Sequence, residues 1–423
     1  MDAGLHNETT SGPRRDAERG EVGRRASRSL GDGSRVALVH DWLTGLRGGE
    51  KCLDVLAREL PKATLHTLVH ERGTTTPAIE SLRIKTSALQ RLPGATRHYR
   101  QLLPVMPLAA RGWRVGDVDL VVSLSHCVAK AVVPPAGWPH VCYCFTPMRY
   151  AWEGRDQYLE TWHGPPGSKR LVSTMLDHLR AWDRATARRV SRFIAISETV
   201  RRRIRDCYGR DSVVIEPPVD TDYYTPIERP REDFYLVVSA LVPYKKIEHA
   251  VAACTRLRRH LVVIGGGPER ARLEQHAGPT IKFLGRQPDD VLRDHLRCCR
   301  ALLFPGVEDF GIVPIEALAC GAPVLALAQG GVAETVDNTV GALYEDASPA
   351  GLARAIELWE AAGRPHAADA GRQKALKFAT SRFRDRILAF LNDVLDDASV
   401  TAPHWPRPRG ATRFDAARNR GEA

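Results

Sequence analysis

FPGVEDFGIVPIEALACGAPVLAL, Phe304 to Leu327, is the stretch from which the fold can be read. Ala301 to Pro305 is an apolar run of the kind that forms a buried parallel strand. Gly306 to Asp309 reads as its loop, and Ile312 to Cys320 as a helix stopped by Gly321. A helix start placed there offers free backbone N–H groups and the positive end of its dipole, which together attract phosphate. Phe310, Gly311 and Ile312 stand at that start, and Gly311 lets a ligand approach the backbone closely. Two carboxylates bracket it. Glu308 in the loop and Glu316 about one helical turn in are placed to accept hydrogen bonds from sugar hydroxyls. A ligand with a phosphate and at least two hydroxylated rings fits this description, as a nucleotide sugar does.

Downstream, ALACGAPV leads to a second glycine loop, GGVAETV, Gly330 to Val336. Glu, seven residues and Glu, followed by these two segments, resembles the retaining glycosyltransferases of the GT-B, family 4 type. The resemblance implies an α/β fold of two Rossmann-like domains facing across a cleft, with a C-terminal helix crossing back to the first domain. It also implies that Glu308 lies against the donor sugar as a catalytic residue and that Glu316 binds the nucleotide ribose.

Upstream, VALVHDW is a first buried strand and TGLRGGEK, Thr44 to Lys51, the loop into the helix CLDVLAREL. Gly48 and Gly49 at that turn suit a close backbone approach to pyrophosphate; by resemblance they face the donor diphosphate. His126 follows the strand Asp119 to Ser123, at the carboxyl end where ligands of open parallel sheets gather. The resemblance makes it the histidine that contacts the transferred sugar. VCYCFTPMRYAWEGRDQY, Val141 to Tyr158, is similar to a segment of bacterial surface-polysaccharide mannosyltransferases, in which a histidine commonly stands at the position of Phe145. Arg149, Tyr150 and Trp152 either stack on and hydrogen-bond an acceptor sugar or pack between domains. Arg180, Arg184 and Arg188 recur at helical spacing as a solvated stripe, and Ser197 opens a helix as N-cap without the usual glutamate three residues on.

YLVVSAL, Tyr235 to Leu241, opens a second domain and runs into VPYKKIEHAV, where Lys245 and Lys246 can neutralise a diphosphate as point charges. The family usually has an arginine five residues before the lysine; here that residue is Ala240. LVVIGGGPER, Leu261 to Arg270, imitates a dinucleotide loop but lacks the third glycine in register and the ribose-binding acid. NAD is therefore not expected, and by resemblance Gly266 helps to shape the donor pocket.

At 423 residues the chain fits two domains with tails. The expected division is a disordered tail 1–34, an acceptor domain 35–224, a linker 225–233, a donor domain 234–378, a crossover helix 379–398 and a disordered tail 399–423. The N-terminus has no signal-peptide core and no window reaches membrane-span length, so a cytoplasmic protein is expected. Nine cysteines without paired CxxC sets fit reduced thiols, and no Asp-x-Asp pair of the metal-dependent type is expected beside the cleft, so neither metal nor cofactor is expected.

The formal charge of +11 concentrates between Ser81 and Gly116, with seven Lys or Arg and no acid among Leu89, Leu92, Leu102, Leu103, Val105, Met106, Leu108 and Trp113. Such a mixture suits anionic lipid at the inner face of a plasma membrane, or else a solvated helical face; no nucleic-acid motif accompanies it. The function implied is transfer of a hexose, best matched by mannose from GDP-mannose, to a glycan or lipid-linked oligosaccharide in cell-surface polysaccharide assembly. A nucleotide-sugar epimerase would consume donor without acceptor, and a non-catalytic binding protein would turn over nothing.

Overall fold

Two all-parallel sheets divide the chain in the computed structural model, which describes residues 30, 33–160, 162, 164–165, 167–363 and 368–397. The tails expected at 1–34 and 399–423 lie outside the described residues, except for residues 30, 33 and 34. The first sheet comprises β1 (Val36–His40), β2 (Thr64–Thr67), β3 (Arg83–Thr86), β4 (Leu120–Ser125), β5 (His140–Cys144), β6 (Arg192–Ala195) and β7 (Ser212–Val214), in the order β3-β2-β1-β4-β5-β6-β7. The second comprises β8 (Tyr235–Val238), β9 (Leu261–Ile264), β10 (Ile281–Gly285), β11 (Ala301–Phe304), β12 (Val324–Leu327) and β13 (Gly341–Tyr344), in the order β10-β9-β8-β11-β12-β13.

Continuous apolar strands follow from burial on both faces. Along β1 every residue is buried, with Val36 and Leu38 joining one packed cluster and Ala37 and Val39 another on the opposite face. Each strand order reverses once, between β1 and β4 in the first sheet and between β8 and β11 in the second. These reversals open crevices at the carboxyl ends of the strands, where ligands of doubly wound sheets bind.

The last helix, Thr380–Asp396, packs on the first domain. Its Phe383, Ile387, Leu391 and Val394 share a buried cluster with Cys52, Leu53 and Leu56 of the helix Gly48–Glu59, and Phe383 meets Tyr143 edge-on at 5.8 Å. The same cluster continues into Ile315, Ala317 and Leu318 of the second domain, so the domains share apolar packing. Residues 225–233 lie against the second domain: the Glu232 N–H donates to the Cys298 carbonyl at 2.7 Å, and Arg231 reaches the Cys299 carbonyl at 3.0 Å.

Three local expectations are revised. The arginine stripe is not simply solvated: Arg180 and Arg184 lie over the Trp152 ring at 5.3 and 5.9 Å, and Arg180 donates to the Ala151 carbonyl at 2.6 Å. The basic stretch is not one helical face but β3 and a series of short helical turns, so its apolar residues part company. Leu103, Met106 and Trp113 enter the core, whereas Leu92, Val105 and Leu108 remain exposed beside exposed Arg91, Arg97, Arg100 and Arg111. The glycine triplet serves backbone contact: a side chain on Gly265 or Gly267 would collide with the carbonyls of Ser239 and Leu241.

Candidate functional site

The two crevices face each other. After β11 the loop carries Glu308, and Gly311 begins the helix Ile312–Ala319 at φ +92°, a left-handed conformation that favours glycine. No side chain caps this helix, so its first N–H groups stay available to an anion. Gly330 and Gly331 hold the loop in place: the Gly331 N–H donates to the Glu308 carbonyl at 2.8 Å, and a Cβ on either glycine would strike the 308–310 backbone. Glu316 lies within the helix, nearly fully buried.

Lys245 ends the short turn Pro243–Lys245 after β8, and its ammonium pairs with the Glu308 carboxylate. Lys246 has a left-handed backbone at φ +52°, begins the helix Ile247–Leu257, and lies 3.7 Å from Glu248. The structure thus brings Lys245, not Lys246, to the glutamate loop. Gly266 lies beside the Arg286 side chain, 3.5 Å from where its Cβ would stand.

On the facing wall, Gly48 and Gly49 open the helix Gly48–Glu59. A Cβ on Gly48 would come within 2.8 Å of Ile312, and one on Gly49 within 3.2 Å of the Phe145 ring. The glycine turn therefore abuts the start of the opposing helix, and the Phe145 ring covers Gly49. His126 follows β4 with about a third of its side chain open, held edge-on against Trp42 at 4.5 Å. Asp41, fully buried at the end of β1, accepts N–H bonds from His126, Cys127, Val128 and Ala129 at 2.6 to 3.0 Å. Its carboxylate also lies 3.1 Å from His126 Nδ1. That charge favours the proton on Nδ1 and leaves Nε2 as an acceptor. Burial holds the His126 pKa below the ordinary histidine value, against the pull of Asp41.

Several ion pairs close the cleft. Lys51 Nζ donates to Glu316 Oε1 at 2.7 Å across the domains. Burial disfavours the Lys51 ammonium, but the surrounding carboxylates, Glu316 foremost with Asp289 and Asp220, together raise its pKa. Arg149 bonds Asp309 at 2.6 Å and lies over the Tyr244 ring at 5.0 Å, while Arg203 pairs with the other Asp309 oxygen. Ser197 Oγ donates to the Asp309 carbonyl at 2.6 Å. Glu334 accepts from the N–H groups of Glu198 and Thr199 at 2.9 and 2.7 Å, supplying from the second domain the carboxylate absent from the local cap.

Tyr150 is exposed, in edge contact with Tyr158 at 5.7 Å. Trp152 is built into its own domain: its Nε1–H donates to Asp183 at 2.8 Å. Asp183 is buried, pairs with buried Lys130 and accepts from the Tyr208 hydroxyl at 2.7 Å. The sequence reading missed Asp41, Lys51, Arg203, Asp309 and Glu334. Asp41 had a signal, an acid at a strand's carboxyl end; the partners of the others come from distant segments.

This geometry, with backbone N–H groups, a lysine and buried acids converging on one crevice, suits an anionic, hydroxylated ligand. Residues 46–223 match a model described as Glycosyltransferase Family 4, and residues 226–376 one described as Glycosyl transferases group 1. A D-inositol 3-phosphate glycosyltransferase of Geodermatophilus obscurus is 32% identical over 217 residues, covering 42% of this chain and 48% of the relative. A GDP-mannose-dependent alpha-(1-6)-phosphatidylinositol monomannoside mannosyltransferase of Mycolicibacterium smegmatis is 29% identical over 220 residues, covering 42% of this chain and 58% of the relative. The chain spans about half the length of the curated relatives it matches. Among solved structures, HepE of Anabaena in complex with UDP superposes with a TM-score of 0.64 at 18% identity, covering 85% of this chain and 100% of that one. Sucrose-phosphate synthase of Thermosynechococcus elongatus gives 0.64 at 16% identity, with 85% and 99% covered. With adjoining family models on its two domains and this architecture, the chain belongs to the family 4-type glycosyltransferases of the GT-B fold.

Proposed function

We propose that the protein is a retaining hexosyltransferase that moves a sugar from a nucleoside diphosphate donor to a glycan or lipid-linked acceptor. The observation that carries this reading is the meeting of Lys245 and Glu308 beside the uncapped helix Ile312–Ala319, opposite Gly48 and His126. The donor diphosphate binds at the helix start and Lys245, and the ribose hydroxyls donate to Glu316. Lys245 exchanges its present partner Glu308 for phosphate, which frees that carboxylate to face the sugar. His126 Nε2 accepts from a sugar hydroxyl. As the bond between the anomeric carbon and the phosphate oxygen breaks, the electron pair passes to the phosphate, where lysine and helix N–H groups stabilise it most. The acceptor hydroxyl bonds to the anomeric carbon on the same face, and its proton goes to the departing phosphate.

Gly48 already touches Ile312 and Lys51 bridges to Glu316, so the domains part to admit donor and close again around it. Closure excludes the water that would otherwise hydrolyse the donor. GDP-mannose is the donor favoured, on the segment around Arg149 and on the GDP-mannose-dependent relative. Arg149 and Tyr150 are acceptor contacts in this reading, Arg149 after release from Asp309, whereas Trp152 supports their loop. Lys246 and Gly266 border the donor diphosphate without a direct pairing. Neither a metal nor a cofactor takes part in this scheme.

No helix among the described residues is long and apolar enough to cross a membrane. Exposed Leu92, Val105 and Leu108 with the surrounding arginines form the surface through which the protein rests on anionic lipid at the cytoplasmic face. Melting the protein with a panel of nucleotide sugars tests the donor assignment. GDP-mannose at about a hundred times its dissociation constant adds about 2.7 kcal/mol of stability and gives the largest upward shift. A panel without any shift would contradict the reading.

A further inference from the structure

Glu316 has its counter-ion in the other domain. The carboxylate is nearly fully buried, and Lys51 is its charged partner among the described residues, at 2.7 Å. Lys245, a crevice lysine of its own domain, is engaged by Glu308. A buried carboxylate needs a paired cation, so Glu316 is compensated only while the helix Gly48–Glu59 lies against the second domain. Lys51 extends from the first turn of that helix, immediately after the glycine pair and Glu50. Glu50 is itself fixed, accepting the Arg47 N–H at 3.0 Å. About a third of the Lys51 side chain remains open. An ammonium has three donors, of which one is spent on Glu316 Oε1, leaving two for a ligand lying between the domains.

We propose that Lys51 is a nucleotide-positioning residue: it fixes one oxygen of Glu316, leaves the other for a ribose diol, and donates to that diol from the opposite domain. This rests on the nucleotide-sugar reading of the cleft and adds to it a ligand requirement, a ribose with both vicinal hydroxyls. A diol gives each group its own partner, one hydroxyl donating to Glu316 and the other accepting from Lys51, whereas a 2′-deoxynucleotide offers one hydroxyl to both and forfeits a charge-assisted hydrogen bond. Ribose capture by the second domain is thereby tied to closure of the first.

Calorimetric titration with GDP, UDP and their 2′-deoxy counterparts tests this. The wild-type protein is expected to prefer the ribonucleotide by about tenfold, and Lys51→Met to reduce that preference to about twofold. Lys51→Gln serves as a second neutral variant if Lys51→Met fails to fold, as judged by melting, and Lys51→Arg should retain most of the preference. A purely structural Lys51 lowers the melting temperature but leaves the ribose-to-deoxyribose ratio unchanged, which would overturn the proposal while the nucleotide-sugar reading stands. A wild-type protein that binds none of these nucleotides would overturn both.

Discussion

Asp41 and His126 illustrate how a strand end can hold an imidazole in place. One buried carboxylate gathers four successive N–H groups and steadies the imidazole beside them. Because burial lowers the His126 pKa, the acceptor form of its Nε2 survives below pH 6.5, the ordinary histidine value. Replacing this partly open ring, His126→Ala, should slow transfer by about a hundredfold while leaving the melting temperature nearly unchanged, since one hydrogen bond to the reacting sugar is worth about that much. Unaltered turnover would remove His126 from the site. Glu308, Glu316, Lys245 and the glycine pair were legible because each stands where an apolar strand gives way to a helix. Lys51, Asp309 and Glu334 were not, because their partners lie 265, 160 and 135 positions away in the chain. Local pattern encodes a helix start but not which distant carboxylate or cation will meet it.

The helix Glu198–Tyr208 shows the same division of information at the scale of an element. Its N-cap is local, with Ser197 Oγ accepting the Val200 N–H at 3.1 Å, but two further N–H groups are satisfied by Glu334 of the other domain. Glu334→Ala should cost about 1 kcal/mol in urea unfolding, the usual worth of a cap, and an unchanged midpoint would mean the contact contributes nothing. Strand β5 carries a second testable feature. His140 is fully buried, with its Nε2 2.8 Å from Ser123 Oγ, and burial pushes its pKa down to about 3. The unfolded chain takes up this proton near pH 6.5 and the folded chain refuses it, so stability falls as pH drops from 6.5 towards 3. The loss reaches about 1.4 kcal/mol per pH unit. In His140→Gln the slope of stability against pH over that window should be shallower by about one proton. Equal slopes would show that His140 titrates normally.

At the scale of the molecule, two doubly wound sheets carry loops and helix starts that meet across the domains, Lys51 with Glu316 and Gly48 against Ile312. The doubly wound plan was expected from the resemblance to the GT-B type, and the apolar runs leading into glycine turns and helices accord with it. How the basic stretch folds was not, because short turns, rather than one periodic helix, decide which apolar residues face outward. The surface left by those turns predicts membrane attachment. Arg91→Glu, Arg97→Glu and Arg111→Glu combined should abolish co-sedimentation with phosphatidylglycerol vesicles, at about 1 kcal/mol for each positive charge lost, without altering nucleotide affinity. Unchanged sedimentation would remove the membrane contact from the account. The central claim, that Lys245 and Glu308 form the transfer centre of the cleft, is tested most directly by turnover. With the donor that raises the melting temperature most, and a membrane fraction as acceptor, release of nucleoside diphosphate is measured for the wild type, Lys245→Ala and Glu308→Ala. The account predicts steady release by the wild type and a drop of at least about a hundredfold in both variants, each melting like a folded protein; variants that turn over like the wild type would contradict it.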